Sequence, residues 1–102
     1  MLRIYGVMLE VLRSMRDVLA AIEAKDRDLG RQARRAGASV VLNLAEGSGS
    51  RGGTRRERYS NALGSAREFR GCLDSGFALG YVGDVRSDGL REVIGSLVRL
   101  TR

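Results

Sequence analysis

Apolar residues recur at three- and four-residue steps through almost the whole 102-residue chain, and no proline interrupts them. Over residues 3–24, Ile4, Met8, Val11, Met15, Val18 and Ile22 form a narrow seam, the pattern of one helix with a single buried stripe. Asp26 and Asp28 then supply an N-cap and a first-turn acid for a second helix, about 27–46, with Leu29, Ala33, Ala36, Val40 and Leu44 inward. Gly47, Gly49, Gly52 and Gly53 end it. Thr54 and Glu57 have capping-box spacing and open a third helix that runs to about Leu79, with Tyr59, Leu63, Ala66, Leu73 and Phe77 facing inward. Gly80 followed by apolar Tyr81 predicts a Schellman-type stop. Asp84, or the Ser87–Asp88 pair, starts a last helix with Leu90, Val93, Leu97 and Leu100 inside. The pattern predicts one all-α domain over residues 1–102, an antiparallel up-and-down four-helix bundle.

Seven of the 14 glycines fall inside these helices, where each costs about 0.8–1 kcal/mol against alanine, so close packing should offset them. On the third helix, Gly64, Gly71, Ser75 and Ala78 share one narrow sector away from the Tyr59–Phe77 face. Such a smooth second face fits either tight packing within the bundle or an interface between subunits. Both readings stand at this point.

Charge changes the picture. The chain carries +6, and residues 27–70 hold all of it: ten arginines against Asp28, Glu46, Glu57 and Glu68. The segments 1–26 and 71–102 each carry four positive and four negative side chains and cancel. A net charge concentrated in one segment points to a polyanion-facing surface. At 100° per residue, Arg27, Arg31 and Arg34 lie within about 60° of one another, opposite the inner face, with Arg35 close by. Arg51, Arg55, Arg56 and Arg58 follow in the chain. Nearly all the cations are arginines (17 against Lys25), which suits bidentate phosphate contact. Only five residues are aromatic, most of them at inward positions, so a base-stacking platform for single strands is not expected. Recognition of the backbone and shape of a folded RNA or a duplex fits better.

Other chemistries are largely excluded. Without histidine there is no Ser-His-Asp triad, Cys-His pair or histidine metal site, and a lone Cys72 cannot build a thiolate cage. Cys72 is expected to be a small buried hydrophobe, and one cysteine fits a reducing, cytoplasmic setting. No apolar run approaches the roughly 18 residues of a membrane span, and the N-terminus lacks a signal-peptide block. Gly47-Ser48-Gly49-Ser50-Arg51-Gly52 matches GxGxxG literally, but a helix precedes it where a strand is required. No cofactor, metal or small-molecule substrate is expected, and the chain reads as a binding or assembly protein. Asn43, Glu46, Ser65 and Glu68 are expected to form a structural polar network between helices that sets their register.

Gln32-Ala33-Arg34-Arg35-Ala36, Ser39, Asn43-Leu44-Ala45-Glu46-Gly47, Ala62 to Glu68 and Leu79-Gly80-Tyr81 together resemble a bacterial four-helix-bundle family. That family includes proteins encoded in intervening sequences of large-subunit ribosomal RNA genes. Accessory variability proteins of diversity-generating retroelements are related bundles. The resemblance implies a ring-like homopentamer, a basic surface toward RNA or a nucleic-acid-handling enzyme such as a reverse transcriptase, and no catalytic residues. It marks Arg34, Arg35, Asn43, Glu46, Ser65 and Glu68 as recurrent polar positions. Two departures stand out: Val41 occupies a place where members commonly carry proline, predicting a straighter second helix, and the first helix lacks a tryptophan often found there.

Two functions from different classes remain. One is an oligomeric RNA-binding protein acting through its arginines. The other is a protein adaptor whose basic face docks an acidic partner.

Overall fold

A computed structural model describes residues 2–102 as α1 (Arg3–Ser14), α2 (Arg16–Lys25), α3 (Arg27–Ser48), α4 (Gly52–Ala78) and α5 (Asp88–Thr101). Among the described residues there is no strand. Five helices therefore replace the four expected. The difference lies in the first, which divides at Met15 (φ −95°, ψ 3°). There the Ser14 hydroxyl donates to the Val11 carbonyl at 2.9 Å, and the same oxygen accepts the Met15 N–H at 3.0 Å. A serine hydroxyl on a ladder carbonyl competes with the backbone bonding of that turn. The buried seam continues across the break as Ile4, Met8, Val11, Met15, Leu19 and Ile22. Leu19 takes the place expected of Val18, which is only half-buried.

The ends of α3 to α5 follow local chemistry, with one exception. Asp26 caps α3 by accepting the Leu29 N–H at 3.0 Å, and Ser87 caps α5 by accepting the Leu90 N–H at 3.1 Å. α4 stops as expected: Gly80 has φ 78°, the Tyr81 N–H donates to the Gly76 carbonyl at 2.8 Å and the Gly80 N–H to Phe77 at 3.0 Å. The exception is the start of α4. It begins at Gly52 with Arg51 at the N-cap and no side-chain cap, so the Thr54–Glu57 box does not form. The two glycines carry the chain into its first turn before Thr54 is reached, which leaves Thr54 inside the helix. α3 also runs uninterrupted past Val41 and through Gly47, so the connecting loop shrinks to residues 49–51.

Packing explains the glycines. α3 and α4 share the most extensive contact in the molecule and run antiparallel, with Ser39 beside Ser65, Gly37 beside Phe69 and Gly47 beside Tyr59. A Cβ at Gly37 would sit 3.1 Å from the Phe69 ring and 2.7 Å from Leu12, and one at Gly47 would strike the Tyr59 ring. At Gly76 it would stand 2.9 Å from Ile22, and at Gly89 2.8 Å from Val11. Large side chains thus enter glycine hollows on the facing helix, and backbones approach closely. The close approach falls at Gly30, Gly37, Gly47, Gly76 and Gly89. At Gly64 and Gly71 an added Cβ would meet nothing within 4 Å.

The inner face of α4 is Tyr59, Ala62, Ala66, Phe69, Cys72, Leu73 and Gly76. Leu29 and Leu63 are only half-buried, and Phe77 and Leu100 are 50% and 42% exposed. Phe77 and Leu100 stand in the last turns of α4 and α5, and Leu100 borders an open depression with Leu2 and Ile4 at the start of α1. Ile94 and Leu97 complete the core on α5 in place of Leu100.

Candidate nucleic-acid interface

Arg27, Arg31, Arg35, Ala38, Leu42 and Gly49 are all exposed, and at 100° per residue they share one side of α3. This crest is cationic in its first half and uncharged from residue 36 to 45. Among the described residues Arg27, Arg31 and Arg35 form no ion pair. Arg34 departs from the expected stripe. It leans toward α2, where its Nε donates to Glu23 Oε2 at 3.0 Å. Arg35 instead borders a shallow polar depression with Asp28, Arg31, Gln32 and Glu68.

Arg51, Arg55, Arg56 and Arg58 lie at the opposite end of α3. From Arg31 to Ser48 the helix rises about 25 Å, so the eight arginines form two groups rather than one patch. Arg55 Nε donates to the Ser50 carbonyl at 2.9 Å, and Arg56 Nη2 to the Thr101 carbonyl at 2.9 Å. The second bond brings the end of α5, with Arg99 and Arg102, to the same end of the molecule. Those two arginines were not marked by the pattern, because 71–102 is neutral as a segment and only tertiary contact moves its last turn beside α4. Arg58 is the least available of the group, since it pairs with Glu46 at 3.0 Å.

The four polar residues singled out along the chain all border the α3–α4 seam. Ser39 and Ser65 hydroxyls lie 2.8 Å apart, and Asn43 Nδ2 donates to the Ser39 carbonyl at 2.9 Å and to its hydroxyl at 3.2 Å. Glu46 meets Arg58 across the seam, and Glu68 faces the depression beneath Arg31 and Arg35. Glu46 is exposed, not on the core side of its helix, and Ser39 joins the group as a residue the pattern left out of it.

The family model described as 23S rRNA-intervening sequence protein matches residues 2–102. The chain belongs to that family. No curated protein and no solved structure gives a significant match. The description of the 23S rRNA-intervening sequence protein family names no enzymatic activity.

In this member of the family, a surface depression of about 780 Å³ between α1 and α5 contains Glu10 and Glu92. Glu10 is paired with Arg13 at 3.2 Å and Glu92 with Arg3 at 2.7 Å. The hydrogen bond from Arg3 holds the Glu92 carboxyl below its usual range, the reverse of what a general acid requires. At the other end, burial pushes the Tyr81 phenol up, and Asp26, which accepts its hydroxyl at 3.3 Å, adds to the shift. No helix of the described residues is long and apolar enough to cross a membrane.

Cys72 is buried on the inner face of α4. Burial pushes its thiol up, with a smaller contribution from the charge of Glu68. The folded thiol thus titrates above its ordinary range, so its contribution to stability is complete below that range and is lost as pH rises through the folded value. At neutral pH iodoacetamide is expected to leave the folded protein unmodified while alkylating the urea-unfolded chain, as read by intact mass. Rapid alkylation of the folded protein would contradict the buried placement.

Proposed function

We propose that this 23S rRNA-intervening sequence protein is a non-enzymatic, oligomeric RNA-binding protein of the cytoplasm. Its arginines neutralise phosphates of a structured RNA. The observation that carries this reading is the exposed, unpaired set Arg27, Arg31 and Arg35, in a chain whose whole excess of +6 lies between residues 27 and 70. The family description, which ties the family to 23S ribosomal RNA genes, supports it.

The architecture that goes with this reading is an up-and-down bundle of four rods, α1 and α2 acting as one bent rod. Contacts between α1 and α5, α2 and α3, α3 and α4, and α4 and α5 support that order. Assembly is proposed through the open strip of Gly64, Gly71, Ser75 and Ala78 on α4, all exposed. A homopentameric ring, the state the resemblance implies, would multiply a weak contact per subunit by avidity.

The test is equilibrium binding of the purified protein to a structured RNA at several salt concentrations, with mass in solution measured on the same sample. Binding at micromolar or tighter levels with a steep fall in added salt is the expected result. Absence of binding at low salt would end the reading.

One observation favours a second reading, an adaptor for an acidic partner such as a reverse transcriptase or another nucleic-acid enzyme. A groove of about 390 Å³ between α1, α2 and α3 is lined by Leu9, Leu12, Leu19 and Ala38 and rimmed by Arg13, Arg16 and Arg34. Leu42, 61% exposed, lies one turn beyond Ala38. Bulk RNA would displace the protein from an RNA site and leave a partner seated in this groove.

A further inference from the structure

Two groups of arginines stand at the two ends of α3, Arg27, Arg31 and Arg35 at one and Arg51, Arg55 and Arg56 at the other. The stretch between them is uncharged on both helices of the seam: residues 36–45 of α3 hold no Asp, Glu, Lys or Arg, and neither do residues 59–66 of α4, which pack beside residues 39–47. The exposed crest of α3 runs from Arg27 to Gly49 and leads into the loop of Arg51, where Arg55 donates to the Ser50 carbonyl, while Arg56 lies toward the end of α5 on the Thr101 carbonyl. Helical rise sets the middles of the two groups roughly 30 Å apart along a molecule 42 Å long.

From this spacing we infer that the two groups act as one bipartite phosphate clamp whose ligand is a nucleic-acid double helix laid along the crest. The inference rests on the RNA-binding reading and deepens it by naming duplex RNA as the substrate class. An RNA double helix, which is A-form, returns the same backbone edge toward a flat partner once per turn, roughly 30 Å, with a groove receding in between. Cations at each end with a neutral middle match that profile. A continuous cationic track would suit a single strand better. Single strands are held largely by stacking on exposed aromatic rings, and here Tyr59 and Phe69 are buried, Tyr5 and Tyr81 half-buried, and exposed Phe77 stands at the end of α4 far from the loop arginines. Both groups sit on helices or directly against them, and Arg55 and Arg56 are already tied to backbone carbonyls. Fixed cations favour a ligand whose phosphates are equally fixed.

The experiment measures binding by fluorescence anisotropy at constant low salt with three probes. They are an RNA duplex of roughly 16 base pairs, the span of known duplex-binding modules, an RNA hairpin whose stem has roughly 6 base pairs, about half a turn, and a single strand of the longer length. The long duplex is expected to bind on the order of 100-fold more tightly than the short one, because only it reaches both groups. The variants Arg27→Ala/Arg31→Ala/Arg35→Ala and Arg51→Ala/Arg55→Ala/Arg56→Ala should each reduce the long duplex to the level of the short one. The short duplex should lose only about twofold with either variant, since one of two independent sites remains. Circular dichroism checks that each variant is folded, and the comparison of lengths on the unaltered protein needs no variant. Equal affinity for long and short duplexes would overturn the clamp while leaving RNA binding intact. An effect confined to one triple variant would overturn it too, as would a single strand bound as tightly as the duplex. Failure of all three probes to bind would remove the RNA reading itself.

Discussion

Exchange of Arg27, Arg31 and Arg34 for alanine is expected to weaken binding to a structured RNA on the order of 100-fold, at about 1 kcal/mol for each exposed charged contact. The more diagnostic change is in salt dependence. Each phosphate neutralised contributes about −0.9 to the slope of log affinity against log salt on a duplex, so three lost contacts should flatten the slope by up to about 2.7. Structure divides this effect unequally. Arg34 is already engaged by Glu23 at 3.0 Å, whereas Arg27 and Arg31 have no acidic partner among the described residues. Arg31→Ala alone should therefore cost more affinity than Arg34→Ala alone. Glu23→Gln, which frees Arg34, should leave RNA affinity equal or higher. Helicity should not change in any of these variants, because the side chains point away from the core. Unchanged affinity and slope in the triple variant would mean that the crest of α3 is a solvated surface.

Phe69→Ala is expected to give the largest loss of stability of any single truncation to alanine in the core. Phe69 is fully buried and heads the largest fully buried side chains. Its ring fills the hollow left by Gly37, where the two longest helices meet. Removing a buried phenylalanine costs about 3–5 kcal/mol through lost transfer energy and the cavity left behind. A domain of this size has only about 5–15 kcal/mol in total. The melting temperature should fall by roughly 15–30 °C, at about 4–8 °C per kcal/mol. Thermal and urea denaturation of Phe69→Ala and Phe69→Leu would measure it, with the leucine variant losing less. Gly37→Ala supplies a cross-check. Its added methyl group would press 2.7 Å from Leu12 and 3.1 Å from the Phe69 ring in the native protein, so the part of its cost owed to the ring should disappear once Phe69 is gone. A fall of less than about 5 °C in Phe69→Ala would contradict the packing described, on the same scale of degrees per kcal/mol.

Particular residues show how far the chain could be read without coordinates. Asp26, Ser87 and Gly80 act through the backbone within a few positions of themselves, and each does in the structure what its local chemistry requires. Apolar spacing located the helices for the same reason. It failed where small residues carry the contact. The inner stripe of α4 passes through Ala62 and Gly76, whose weak apolar signal was outweighed by Leu63 and Phe77 on its flank and at its end. The first helix divides at Met15, beside the Ser14 hydroxyl bond to the Val11 carbonyl, a local feature that periodicity does not register.

What the sequence determined by itself is therefore the all-helical class, most helix ends and the concentration of positive charge between residues 27 and 70. These depend on neighbours along the chain or on a sum over it. The tertiary structure alone decided which glycines are hollows for a facing ring and which lie open. It also turned Arg34 toward Glu23 and split the arginines into two groups along α3, with the end of α5 brought beside the second. Each of those outcomes turns on the distance between residues far apart in the chain, and that distance is set only when the helices pack.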